Sequence, residues 1–160
     1  MFRNFALGVL LVFAWCVAVR AADDVQTGNW KINLSKSHFK TSPAPQSQTV
    51  TIVPQGKDGV KVMVNAVNGK GEKSTIEYGG QYDGKENPRT ETGAGAVPGQ
   101  TVAMKRIDAH TAERVTYLKG KKLVTEKWEI SADGKTRTVT QSGVDAAGKS
   151  VDNVIVYGKQ

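Results

Sequence analysis

From Gly28 onward, apolar residues recur at every second position in short runs, and a turn signal interrupts the pattern roughly every 8–12 residues. Trp30, Ile32 and Leu34 alternate with Asn29, Lys31 and Asn33, and Val60, Val62 and Val64 alternate with Lys61, Met63 and Asn65. Val124, Trp128 and Ile130 share a face against Leu123, Thr125, Lys127 and Glu129. Successive side chains of a strand point to opposite sides, so each run reads as a strand with one apolar face. No stretch after residue 21 sustains a helical period. The segment 35–46 comes nearest, but Pro43 and Pro45 stop it and leave room for a single turn.

The pattern predicts ten strands, near 28–34, 47–54, 59–67, 72–82, 86–90, 100–107, 110–118, 121–131, 135–144 and 150–158. Pro88 restricts 86–90 to an edge or a kink. Between the runs stand Asp58-Gly59, Asn68-Gly69, Asp83-Gly84, Asp133-Gly134 and Ala147-Gly148. Asx-Gly pairs tolerate positive φ at both central turn positions, which matches the twist of paired strands and predicts tight hairpins. A meander of this kind closes most easily on itself. The expected fold is all-β, a single antiparallel up-and-down β-barrel.

Residues 1–21 have the three parts of a secretory signal: Arg3, the apolar run Phe5 to Val19, and a small-residue cleavage site at Val19-Arg20-Ala21. Fifteen residues rising ~1.5 Å each do not cross a ~30 Å hydrocarbon core, so cleavage is expected rather than anchoring. Trp15 before Cys16 disfavours lipidation, which wants a small residue there. The expected mature domain is 22–160, a monomer without stable membrane insertion, located in the periplasm or secreted. It holds no cysteine, so no disulfide supports it. Without Arg3 and Arg20 the chain keeps 20 basic against 15 acidic residues, a net +5. That balance suits anionic partners. Nucleic acid is excluded by compartment and by the lack of basic stretches interleaved with stacking aromatics.

Gly28-Asn29-Trp30 at the start of the first strand resembles the Gly-x-Trp signature of the lipocalin and fatty-acid-binding-protein superfamily. The resemblance implies that Trp30 plugs the closed end of a barrel, with a basic residue from the chain's end, here Lys159, lying over it. The carboxyl-terminal third, from Lys122-Leu123-Val124 through Lys127-Trp128 to Val156-Tyr157-Gly158-Lys159-Gln160, also resembles fatty-acid-binding proteins. The whole is similar to exported bacterial lipocalin-like proteins without an assigned activity, on Gly-x-Trp-Lys, the Pro-x-Pro segment at 43–47 and Lys105-Arg106-Ile107-Asp108. Two departures stand out. The Arg-x-Tyr that fixes a fatty-acid carboxylate has Tyr157 but Ile155 in the Arg position, and twelve residues with two prolines replace the two-helix lid.

Strand parity sends 35–46, 68–71, 91–99, 119–121 and 145–149 to the open end, with Lys36, Lys40, Lys70, Lys73, Lys119, Lys121, Lys122 and Lys149 in or beside them. A basic mouth is expected, which concentrates anions. The glycine-rich stretch 93–99 has the wrong spacing for a phosphate loop and precedes a strand, so it reads as a rim loop. His38 and His110 are the only histidines and lack companions at ligand spacing, so no metal or other cofactor is expected. No nucleophile stands in a recognisable turn context, and no catalytic residue is assigned. Charges on strand faces that also carry apolar residues are the site candidates: Arg106, Arg114 and Arg137, with Trp128 and Tyr157 as stacking or polar groups. Arg114 shares a face with Ala112, and Glu126 with Val124 and Trp128. The expected function is non-enzymatic binding of a small amphipathic, anionic, lipid-like ligand held mainly by apolar burial. The alternative is a protein-binding envelope module or inhibitor that uses its loops or a strand edge.

Overall fold

The computed structural model describes residues 24–160; the export signal read over 1–21 lies outside the described residues. Ten strands close into one antiparallel up-and-down β-barrel. They are β1 (Gly28–Ile32), β3 (Ser47–Pro54), β4 (Gly59–Val67), β5 (Lys73–Gln81), β6 (Asp83–Gly93), β7 (Gln100–Arg106), β8 (Thr111–Leu118), β9 (Lys121–Ile130), β10 (Thr136–Val144) and β11 (Ser150–Lys159). Each pairs with its neighbour in sequence, and β1 closes the ring on β11 with Trp30 opposite Lys159.

The two-residue strand β2 (His38–Phe39) is an addition to the sequence reading. β1 leaves the ladder at Asn33, a single 3-10 turn covers Leu34–Lys36, and the chain then rejoins β11 at Val154 and Asn153. Ser37 bridges the interruption: its hydroxyl accepts from the Val156 amide at 2.9 Å. Residues 28–41 therefore follow most of β11, and no helical lid lies between β1 and β3. The break also moves Lys36. Strand parity assigns it to the mouth, but it closes the 3-10 turn between Asn33 and Ser37, both bonded to Val156, on the flank of the barrel.

Pro88 does not shorten its strand. β6 runs eleven residues, with Pro88 exposed and opposite Thr101 of β7. The β5–β6 ladder ends at Tyr78–Arg89, the residue that follows the proline, so Pro88 itself has no β5 partner and a missing N–H breaks no bond on that side. In that opening, added Cβ atoms on Gly79 and Gly80 would collide with the side chains of Gln55 and Asn87.

The turns use Asx side chains differently from the type I′ expectation. Gly84, Gly134 and Gly148 take the positive φ expected of them, but the residues before them do not; Gly59 and Gly69 have ordinary φ, and the left-handed positions there fall at Gly56 and Gly71. What the acidic and amide residues supply is an acceptor for the N–H two residues on, at Asp83, Asp108, Asp133, Asp145 and Asn68. The turn with positive φ at both centres is Lys119-Gly120, which carries no Asx residue.

The core fills the end of the barrel where β1 begins. Trp30, Val60, Val62, Val102, Met104, Ala112 and Trp128 are fully buried there. Residues 24–27 cross under this end. Gln26, fully buried, accepts the Trp30 indole N–H through its carbonyl at 3.0 Å and donates its amide to the His110 carbonyl at 3.1 Å. The Lys159 ammonium lies 5.2 Å from the Trp30 ring centroid. Gly28 is the residue this cover requires: its φ is +129°, and a Cβ there would sit 2.7 Å from Lys159 Cε.

Candidate functional site

The other half of the barrel is hollow. A cavity of about 470 Å³ opens between the 40–46, 93–99 and 145–149 connections, within the size range of small-molecule sites. Alternation on each strand decides what faces it. β3 contributes Gln48 and Val50, β4 Val64, and β5 Ile76 and Tyr78; β6 contributes Arg89 and Glu91, β8 Arg114 and Thr116, and β9 Val124 and Glu126. From β10 come Arg137, Val139 and Gln141, and from β11 Asn153 and Tyr157. The wall is thus as polar as it is apolar, where apolar burial had been expected to dominate.

The polar side chains form one connected network. Arg114 Nη2 donates to Glu126 Oε1 at 2.6 Å, and Gln141 Nε2 donates to the same oxygen at 2.8 Å. The other oxygen, Oε2, accepts the Trp128 indole N–H at 2.8 Å. Asn153 Nδ2 donates to Gln141 Oε1 at 3.1 Å, which carries the row onto β11. Tyr157 donates its hydroxyl to Gln48 Oε1 at 2.8 Å, over β1, the strand between β11 and β3. Nearer the mouth, Arg89 and Glu91 pair at 3.0 Å, each about one-eighth exposed.

Burial raises the pKa of the Glu126 carboxyl, but Arg114 and the hydrogen bonds from Trp128 and Gln141 outweigh it and hold Glu126 below its ordinary range. Burial likewise lowers Arg114, and Glu126 more than restores it. Arg137 differs. Burial holds it below the usual guanidinium value, and the tyrosines and Glu126 only partly offset that. Burial also pushes the phenols of Tyr78 and Tyr157 up.

Arg137 is the group without a partner. Its side chain is 2% exposed, and among the described residues it makes no ion pair and no hydrogen bond. It is held by stacking, 4.5 Å from the Trp128 ring centroid and 5.8 Å from that of Tyr157. Below the rim, three guanidinium groups (Arg89, Arg114, Arg137) face two carboxylates (Glu91, Glu126), which leaves an interior excess of one positive charge. Asp145, the remaining acid of the wall, belongs to the rim, where its carboxylate accepts the Ala147 and Lys149 amides.

Of the sequence candidates, the structure brings Arg114, Arg137 and Tyr157 together on the cavity wall. Trp128 stands among them, fully buried, stacked on Arg137 and bonded to Glu126. Arg106 lies apart. It is at the closed end, stacked 4.0 Å over Tyr82, and binds the Asp24 carboxylate through both Nη atoms at 3.1 and 2.5 Å. Gly28, Trp30 and Lys159 meet at that same closed end. The sequence reading did not single out Tyr78, Arg89, Glu91, Gln141 or Asn153. On β6 the inward residues are Asn87, Arg89 and Glu91, so no apolar residue marks that face.

The mouth is basic. Lys70, Lys73, Lys119, Lys121, Lys122 and Lys149 lie in or beside its connections and make no ion pair among the described residues; Lys40 is paired with Asp152 at 2.9 Å. Among the described residues no cluster of histidines, thiols or acids has metal-binding geometry. No protein-family model matches the chain, and no curated protein sequence matches it significantly.

Proposed function

We propose that this protein binds a small amphipathic anion non-enzymatically inside the open half of the barrel. The observation that carries the reading is Arg137: a guanidinium taken out of water with no carboxylate beside it is costly to keep, and an anionic ligand group at that point removes the cost. Tyr157, Arg114 and the stacked Trp128 would frame the bound charge. Hydrocarbon of the ligand would lie along Val50, Val64 and Ile76. The unpaired lysines at the mouth would raise the local anion concentration and speed entry.

The Trp30–Lys159 cover and the ten-strand meander support placement among lipocalin-like barrels. The signal-like residues 1–21 support an exported protein acting in the periplasm or outside the cell, which fractionation of cells expressing the full chain tests directly. The ligand is tested by native mass spectrometry of residues 22–160, purified without detergent from an exporting host. A reproducible added mass in the wild-type protein, lost on denaturation and absent from Arg137→Met, is the expected result. A bare mass that stays bare after incubation with a cell extract overturns the reading and moves the weight to a protein-binding role.

A further inference from the structure

The cavity has two unlike walls, and their register gives the class of its occupant. Val50, Val64 and Ile76 are cross-strand partners on β3, β4 and β5 and form an unbroken apolar row. In a ring of ten strands β8 to β10 lie opposite, and β11 continues that side. There Arg114, Glu126, Gln141 and Asn153 are cross-strand partners in turn and form a polar row. At the level of these two rows a ligand meets hydrocarbon along one side and hydrogen-bonding groups along the other; elsewhere Gln48 interrupts the apolar side and Leu123, Val124 and Val139 the polar one.

The polar side is not satisfied by the protein alone. Asn153 Oδ1 ends its row without a donor, and Gln100 Oε1 and Thr116 Oγ1 also lack partners among the described residues. All three residues are at most 7% exposed and line the cavity, but the oxygens themselves are shut into its wall, so a ligand reaches them after a rotation of each side chain. The Nε atoms of Arg89, Arg114 and Arg137 are unpartnered as well. The cavity therefore asks for acceptors at the guanidinium groups and for donors at Gln100 and Asn153. A plain acyl carboxylate offers acceptors at one end and no donor anywhere, so it leaves those oxygens buried and unmet.

Building on the anion-binding reading above, we propose that the occupant is a monoanion of the sugar-acid or hydroxylated-ring class joined to an apolar group. Its carboxylate meets Arg137, its hydroxyls serve Gln100, Thr116 and Asn153, and its apolar part lies against Val50, Val64 and Ile76. The class differs from a fatty acid in being amphipathic from side to side as well as from end to end.

Isothermal titration of residues 22–160 tests this with three probes: 4-methylumbelliferyl glucuronide, the matching neutral glucoside, and decanoate. The glucuronide is expected to bind at least about tenfold more tightly than either of the others, since each lost hydrogen bond to a buried group costs roughly threefold to tenfold. Thr116→Val and Gln100→Leu break no hydrogen bond within the protein, so their melting temperatures hold. Each weakens the glucuronide by about that factor and leaves decanoate unchanged. Decanoate binding as tightly as the glucuronide, or variants that treat both probes alike, overturns this inference and leaves the anion reading standing. Binding of neither charged probe, together with a bare mass in native spectrometry, removes the anion reading and this inference with it.

Discussion

Replacing Arg137 by methionine is expected to stabilise the ligand-free protein while destroying anion binding. Burying a guanidinium forfeits several kcal/mol of hydration, and no carboxylate within ion-pair distance repays it. Stacking on Trp128 at 4.5 Å and on Tyr157 at 5.8 Å returns about 1–2 kcal/mol per ring. Attraction to Glu126 is shared with Arg114, whose own charge repels Arg137. Methionine fills most of the volume of the stem, so little packing is lost. The balance favours the variant by about 1–2 kcal/mol. At ~3–4 °C per kcal/mol for a domain of this size, the melting temperature rises by about 3–8 °C. Near-ultraviolet circular dichroism of residues 22–160, scanned with and without a bound anion, reads both effects, because Trp128 reports the site. A fall in melting temperature would show that Arg137 is a structural member of the Glu126 network. Anion binding retained by the variant would show that the unpaired guanidinium is not the site.

Removing the opposite charge should act in the opposite direction. Glu126→Gln leaves Arg114 buried without its carboxylate and is expected to cost about 3–5 kcal/mol, read by urea unfolding. Because the folded chain holds Glu126 below its ordinary value of 4.5, its stabilisation is complete above that pH and is lost as pH falls through the folded-state value; Glu126→Gln flattens this acid limb. At the closed end, Gly28→Ala puts a side chain at φ +129° against Lys159 and should cost about 1–3 kcal/mol, whereas Lys159→Ala removes only an exposed cation over Trp30 and should cost about 0.5–1 kcal/mol in the same assay. The phenols of Tyr78, Tyr82 and Tyr157 are held above their ordinary value of 10 by burial, so their phenolate absorbance should not develop near pH 10 but only as alkali unfolds the barrel.

The strand plan was legible because it rests on local signals. Alternation such as Val60, Val62, Val64 and turn residues such as Asp133-Gly134 each act within a few residues, and all ten long strands fall where those signals put them. What escaped depends on distant partners. β2 exists because Ser37 and Thr41 bond to Val156 and Asp152, more than a hundred residues away. Pro88 is tolerated because β5 has already parted from β6, a fact of the closed ring that no window around residue 88 contains.

The site was legible only in part for a related reason. Alternation sorts a strand's residues into two faces, and the apolar members then say which face is inward. Arg114, Arg137 and Glu126 sit in strands where Ala112, Val139 and Trp128 mark that face, so their burial was foreseeable as a set of alternatives. Arg89, Glu91 and Asn87 have no such marker, and Gln141 and Asn153 look in the sequence like ordinary surface polars. Arg106 shows the converse. It shares a buried face with Val102 and Met104, yet shear and strand length bring it to the base, where Asp24 neutralises it. Parity places a side chain inside a barrel, but only the full register tells which end it occupies and whether another chain segment has reached it first. Arg114 and Arg137 illustrate the point. They are alike in sequence and both buried, and they differ only in that Glu126 faces one of them.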